Sequence, residues 1–183
     1  MADQKTLLQK YLSDMLSLES HIFQAIDKQV KENQEEPDVQ ARFQQFSSTL
    51  ETHRNALQAR LQALGGAANQ PVKEGAAAVL GVAAGVIDKF RSEEVSKDFR
   101  DDFTALNLSL ISYEMLYTTA LALGDRETAD LASRNVKDNA QFVMYIQQIM
   151  PKVVVSELKK NHEVSVDESA IQQANQLVED LWK

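Results

Sequence analysis

The chain contains no cysteine, which removes disulfides, thiolate nucleophiles, zinc–thiolate sites and iron–sulfur clusters from its chemistry. Chain breakers are also scarce. With 6 glycines and 3 prolines in 183 residues, long helices are favoured over a turn-rich β architecture. Val and Ile do not alternate with polar residues over any long stretch, so the pattern is all-α. Positive charge is in deficit: the net charge is -8, whereas nucleic-acid phosphates demand a basic face. The longest uncharged small-residue run, Gly75–Ile87, falls well short of the roughly 20 residues that span a bilayer. The polar beginning, MADQKTLLQKYLSD, lacks the apolar core of a secretory signal. These absences lead to the expectation of a cytoplasmic protein without nucleic-acid or membrane partners.

What remains is helical periodicity. Hydrophobic residues make up 44% and charged residues 25% of the chain, a globular composition with enough length for one full core. A first helix over 4–33 carries Leu8, Leu12, Met15, Ile22, Ile26 and Val30 in threes and fours, with Glu19 inside the stripe and His21 on the wet side. Pro37 suits the first turn of a second helix, whose inward residues are Val39, Phe43, Phe46, Leu50, Leu57, Leu61 and Leu64. His53 belongs to that stripe, Glu51 lies off it, and Gly65-Gly66 stops the helix.

The next segment, Val72–Phe90, reads as a short crossover helix with a small-residue face at Gly75, Gly81 and Gly85, lying tight on the bundle. A charged run, Arg91–Asp102, then leads into a third long helix. Its stretch ALNLSLISYEMLYTTALAL (Ala105–Leu123) is apolar nearly all round, with Glu114 its only charge, and is expected to be buried on several sides. A carboxylate at its centre would then need a partner or a proton. A fourth helix begins after Gly124 with Leu131, Phe142, Tyr145 and Ile149 inward and Asp138 on the same stripe; Pro151 kinks or ends it. Ser165-x-x-Glu168 resembles a capping box opening a last amphipathic helix with Ile171, Ala174, Val178 and Leu181/Trp182 buried. Residues 1–160 are thus expected to form a bundle domain, and 161–183 a C-terminal helix docked on it.

Glu19, His53, Glu114 and Asp138 form a constellation, one ionisable residue on the core stripe of each long helix, at matched offsets from the turns. With LSLESHIF, ETHRNALQARLQALGG and SYEMLYTTALALGD, this pattern resembles the ferritin-like superfamily over roughly residues 4–150. The nearest resemblance is to the bacterial stress-protein branch typified by YciF and YciE, with rubrerythrins more distant. The resemblance implies a four-helix bundle with one long crossover, in which two helices each supply a Glu and two each supply Glu-x-x-His around a metal pair.

Glu19 and Glu114 match the single glutamates. The helix 2 motif reads Leu50-Glu51-Thr52-His53, without its Glu, and the helix 4 motif reads Asp138-Asn139-Ala140-Gln141, with Gln141 a marginal ligand. Two outcomes stand on these residues. In the first, the centre holds no metal, its acids and His53 satisfy one another, and the chain works through its surface as a homo-oligomer or partner-binding module. In the second, Glu19, His53, Glu114 and Asp138 hold a single Fe, Mn or Zn ion for oxidant chemistry. A membrane-associated role through Gly75–Ile87 is third.

Overall fold

The computed structural model describes residues 3–32, 37–66, 95–161 and 164–181. Five helices occur among them: α1 (Gln4–Glu32), α2 (Pro37–Ala63), α3 (Val95–Ala122), α4 (Arg126–Asn161) and α5 (Ser169–Leu181). The expected crossover helix at 72–90, including Gly75–Ile87, lies outside the described residues. Helices α1 to α4 form a bundle in which α1 packs on α2 and α3, and α4 packs on α3 and α2.

Two glycine caps set the hairpin ends. Gly65 (φ 76°) and Gly124 (φ 74°) take left-handed conformations that a side chain would resist. Behind them Gly66 N–H donates to Leu61 C=O (2.9 Å) and Asp125 N–H to Ala120 C=O (2.9 Å), the long-range bond of a Schellman cap at each site. Asp125 also opens α4, its Oδ1 accepting from Thr128 N–H at 3.0 Å, so one residue closes one helix and starts the next.

Arg60, near the end of α2, clamps this turn. Its Nη2 donates to both Asp125 carboxylate oxygens at 2.7 Å, Nε to Thr128 Oγ1 at 2.9 Å and Nη1 to Glu127 at 2.5 Å. At the same end Gln9 Nε2 donates to Leu64 C=O (2.5 Å). At the opposite end Gln29 of α1 and Asp102 of α3 are both buried and lie close together. Phe43 of α2 stacks there on Phe99 of α3, with centroids 4.6 Å apart. Helix α2 therefore ends, and α3 begins, at opposite ends of a bundle about 42 Å long by the α-helical rise. That is the topology the one-crossover expectation requires.

Three helices differ from the sequence reading. The largely apolar stretch of α3 is not buried all round: Ile111 (51% exposed), Met115 (50%), Tyr117 and Leu121 face outward, and Glu114 is exposed beside them. With apolar residues on every side, its periodicity gave no phase. The inward arc is Phe99, Asp102, Leu106, Ser109, Tyr113, Leu116 and Ala120. Helix α4 passes through Pro151 to Asn161; proline removes one backbone bond, and the rest of the ladder carries on.

The cap of α5 comes from Asp167, whose Oδ1 accepts from Ser169 N–H (2.9 Å), two residues after the expected Ser165. This helix packs on α4. Ile171, Ala174 and Val178 are only half-buried and Leu177 is exposed, so its apolar face is incompletely covered. No described helix is long and apolar enough to cross a membrane.

Candidate functional site

Midway along the bundle, the apolar core gives way to polar side chains. Glu19 of α1 is wholly buried, as are Ser109 of α3 and Asn139 of α4, while His53 of α2 and Asn135 of α4 are nearly so. Each falls on the inward arc of its helix, among leucines and phenylalanines one turn away. Glu19 lies four residues after Met15 and three before Ile22, and His53 three after Leu50 and four before Leu57.

Asn139 ties the centre together. Its Nδ2 donates to Glu19 Oε1 and to Ser109 Oγ, both at 2.8 Å, and Ser109 Oγ donates to the same Oε1 at 3.2 Å. One glutamate oxygen thus takes two donors, from α3 and α4. A hydrogen bond to a carboxylate is worth roughly twice a neutral one, and inside a protein it also offsets the cost of burying the charge. Asn135, one turn earlier on α4, donates through Nδ2 to the Tyr113 hydroxyl at 2.9 Å. Burial, then the nearby Glu19 charge, pushes the Tyr113 phenol well above its ordinary pKa, so it stays neutral.

The other Glu19 oxygen faces His53, with Oε2 lying 3.5 Å from Nδ1. That is an ion-pair distance at the outer limit of a hydrogen bond, and neither atom has another partner. On the far side of the ring, Nε2 lies 3.2 Å from Asp138 Oδ2. Burial opposes protonation of His53, but hydrogen bonding and charge from Glu19, then from Asp138, outweigh it and raise the imidazole above its usual range. The Tyr113 ring stands edge-on to the imidazole, with the two centroids 6.4 Å apart. Toward the end where α2 and α3 both begin, Phe142 stacks on Phe46 (3.8 Å between centroids) and meets Phe43 edge-on (4.9 Å), an aromatic block one turn beyond Asn139.

Of the residues singled out from sequence, the structure brings together Glu19, His53 and Asp138. Asp138 sits at the rim, its side chain 48% exposed. Glu114 is not part of the centre, because it lies about 100° round α3 from Tyr113 and points to solvent. Gln141 is likewise exposed. Ser109, Asn135 and Asn139 are the members the sequence reading left out of the constellation. Their signal is an i, i+4 spacing of hydrogen-bonding residues, Ser109 with Tyr113 and Asn135 with Asn139, in phase with Leu106, Leu116 and Phe142.

Against the Glu and Glu-x-x-His pattern, α1 presents Glu19, α2 presents Leu50 and His53, α3 presents Ser109, and α4 presents Asn139 and Phe142. Among the described residues, no group of three or more His, Asp or Glu is placed to hold a metal ion.

The fold has clear relatives among solved structures. A Xanthomonas campestris pv. campestris protein matches with TM-score 0.72 at 17% identity, covering 87% of this chain and 99% of its own. A Bacillus anthracis structure described as ferritin-like, diiron-carboxylate proteins gives TM-score 0.66 at 14% identity, covering 82% of this chain and 99% of its own. The bacterioferritin of Desulfovibrio desulfuricans, described with a diiron site, gives 0.65 at 14%, covering 94% and 88%. At these identities the likeness establishes the ferritin-like helical-bundle fold. No curated protein sequence matches. A family profile does match, over residues 3–159, and by that match the chain belongs to the domain of unknown function family DUF892.

Proposed function

We propose that this protein is a ferritin-like bundle of the YciF/YciE-type stress-associated branch whose centre no longer supports dinuclear metal chemistry. It acts through its surface, as a homo-oligomer or a partner-binding module. The observation that carries this reading is the Asn139 amide. Its Nδ2 donates to Glu19 Oε1 from the position where the fold pattern offers a carboxylate. A donor there occupies the lone pair a metal would need. Leu50 and Phe142 offer no ligand atoms, and Asp138, the only other acid beside His53 among the described residues, meets the opposite ring nitrogen from Glu19. A pair of ions wants about six ligands with bridging carboxylates, and this donor set does not fit one. The surface role is supported by the outward face of α3, where Ile111 and Met115 stand in solvent on a stretch whose one charge is Glu114.

The test is metal stoichiometry. Protein purified without a metal-binding tag is loaded with Fe(II), Mn(II) or Zn(II), desalted and analysed for metal per chain. A value near zero is expected. A value near two overturns the proposal, and a value near one replaces it with a mononuclear centre. Sedimentation equilibrium tests the surface role, and a strictly monomeric chain that captures no partner counts against it.

A further inference from the structure

Resting on the surface role in that reading, we propose that the outward face of α3 seats a second copy of this chain, the two α3 helices pairing antiparallel about a two-fold axis at Asn107. Six exposed residues, Arg100, Thr104, Asn107, Ile111, Glu114 and Thr118, recur at alternating steps of four and three, so they form one seam along the solvent side of the helix. That seam holds one positive and one negative charge. Arg100 and Glu114 stand seven residues, or about 10 Å, on either side of Asn107, and the three residues lie within about 40° of one line along the helix.

Opposite charges equidistant from a neutral centre are complementary to themselves. In a two-fold contact residue i meets j while j meets i. With the axis at Asn107, Arg100 of each copy faces the partner's Glu114, and both ion pairs form together. Ile111, 51% exposed, then lies against the partner's Thr104 and leaves water. Moving the axis one turn, to Ile111, would instead set Glu114 against the partner's Leu108 and leave Arg100 without a counter-charge across the seam. Arg100 donates to neighbouring Asp101 (2.8 Å), yet its side chain is 52% exposed, and its five donors leave room for a second carboxylate. Charge also favours a second copy over another protein. At a net charge of -8 two copies repel over most of their surface, so they approach where charges balance. A different partner would need no such symmetry in the seam.

The experiment is sedimentation equilibrium of the full chain, unmodified and as Arg100→Glu, Glu114→Arg and the two combined. The unmodified chain is expected to dimerise. Either single reversal sets like charges against each other twice, so its dissociation constant should rise about tenfold or more. The combined chain carries the same pairs with signs exchanged, and its affinity should return. Both positions are exposed, so every variant should keep the far-ultraviolet circular dichroism of the bundle. A monomeric unmodified chain overturns the inference and leaves the face to the rest of this chain or to another partner. A dimer indifferent to the reversals, or a combined chain no tighter than the single variants, overturns it too.

Because the chain has no cysteine, a single Asn107→Cys reports on the axis directly. On oxidation it is expected to give a disulfide-linked dimer, since residues facing each other across a close helix pair come within bridging reach. Gln148→Cys, on the exposed side of α4, is the control, and equal cross-linking of the two overturns the placing of the axis. Metal content measured on the same samples separates the two proposals. Two metals per chain sink the metal-free centre of the proposed function and leave the interface standing, whereas a dimer blind to the charge reversals sinks the interface alone.

Discussion

Asn139→Ala is the most informative single substitution. It deletes a buried amide that donates two hydrogen bonds of 2.8 Å, one to the Glu19 carboxylate and one to Ser109. A bond to a charged acceptor contributes about 1.5–3 kcal/mol and a neutral one about 0.5–1.5 kcal/mol, so their joint loss costs about 3 kcal/mol. Glu19 Oε1 would keep only the longer Ser109 bond, 3.2 Å, inside a wholly buried site. Urea unfolding at pH 7 followed by far-ultraviolet circular dichroism measures this as a lower midpoint at unchanged slope.

Asn139→Asp is the stricter companion. It is nearly isosteric, yet it sets an acceptor and a second acid against Glu19 where a donor stood, so it should cost at least as much as Asn139→Ala. Pairing Asn139→Ala with Glu19→Gln should show coupling well beyond the few tenths of a kcal/mol typical of independent sites. If Asn139→Ala costs under about 0.5 kcal/mol, the level of an ordinary surface change, the centre is not the polar keystone described above.

Three further outcomes follow from the same geometry. Glu114→Gln is expected to shift stability by no more than about 0.5 kcal/mol, because the carboxylate is in solvent; a multi-kcal/mol loss in the same urea assay would return Glu114 to the core. Arg60→Ala should cost about 2 kcal/mol in urea unfolding, through loss of the paired Asp125 contacts and the Thr128 bond. Burial alone would raise the Asp125 carboxyl, but the Thr128 N–H and then Arg60 hold it below its usual range. Its stabilising contribution is therefore present above the unfolded pKa and lost as pH falls through the lower folded one, and Arg60→Ala should shrink that acid-side loss.

Asp102→Asn should raise Tm at pH 7.5 and do little at pH 3. Burial pushes that carboxyl to about 8, with Gln29 opposing and Asp98 and Asp101 adding to the rise. Between the unfolded value and about 8 the unfolded chain releases a proton the folded one keeps, so stability falls with rising pH across that window, and a pH-independent gain would refute the assignment.

The hairpins of α1–α2 and α3–α4, and the placing of Glu19 and His53, were legible from sequence because α1 and α2 carry unambiguous stripes bounded by Pro37 and Gly65. The other half of the centre was obscured by phase. On α3 apolar residues fall on every side of the helix from 105 to 123, so the single charge stood out and Ser109 and Tyr113 did not. Periodicity locates a buried arc only where another face is wet. On α4 the count started from Leu131, which is buried but lies at the margin of the arc. Seven residues on, it reached Asp138 at the rim instead of Asn139, one residue and about 100° further round. Polar residues that serve a core are small and amide-bearing here, and they resemble surface residues until their partners are known.

The Asn139 bond to Glu19 has a consequence for how the chain reaches this structure. It closes 120 residues of chain, while the Tyr113–Asn135 bond closes 22 within a single helical hairpin. Contacts of short sequence separation cost little loop entropy and form readily, and distant ones wait for the ends to meet. By that separation the Asn135–Tyr113 bond is expected to form within its own hairpin, and the Glu19–Asn139 bond to form only when the two hairpins close on each other. A bond made that late governs escape from the folded state more than arrival at it. The polar centre is then a latch, and its strength is measured in how long the bundle stays shut.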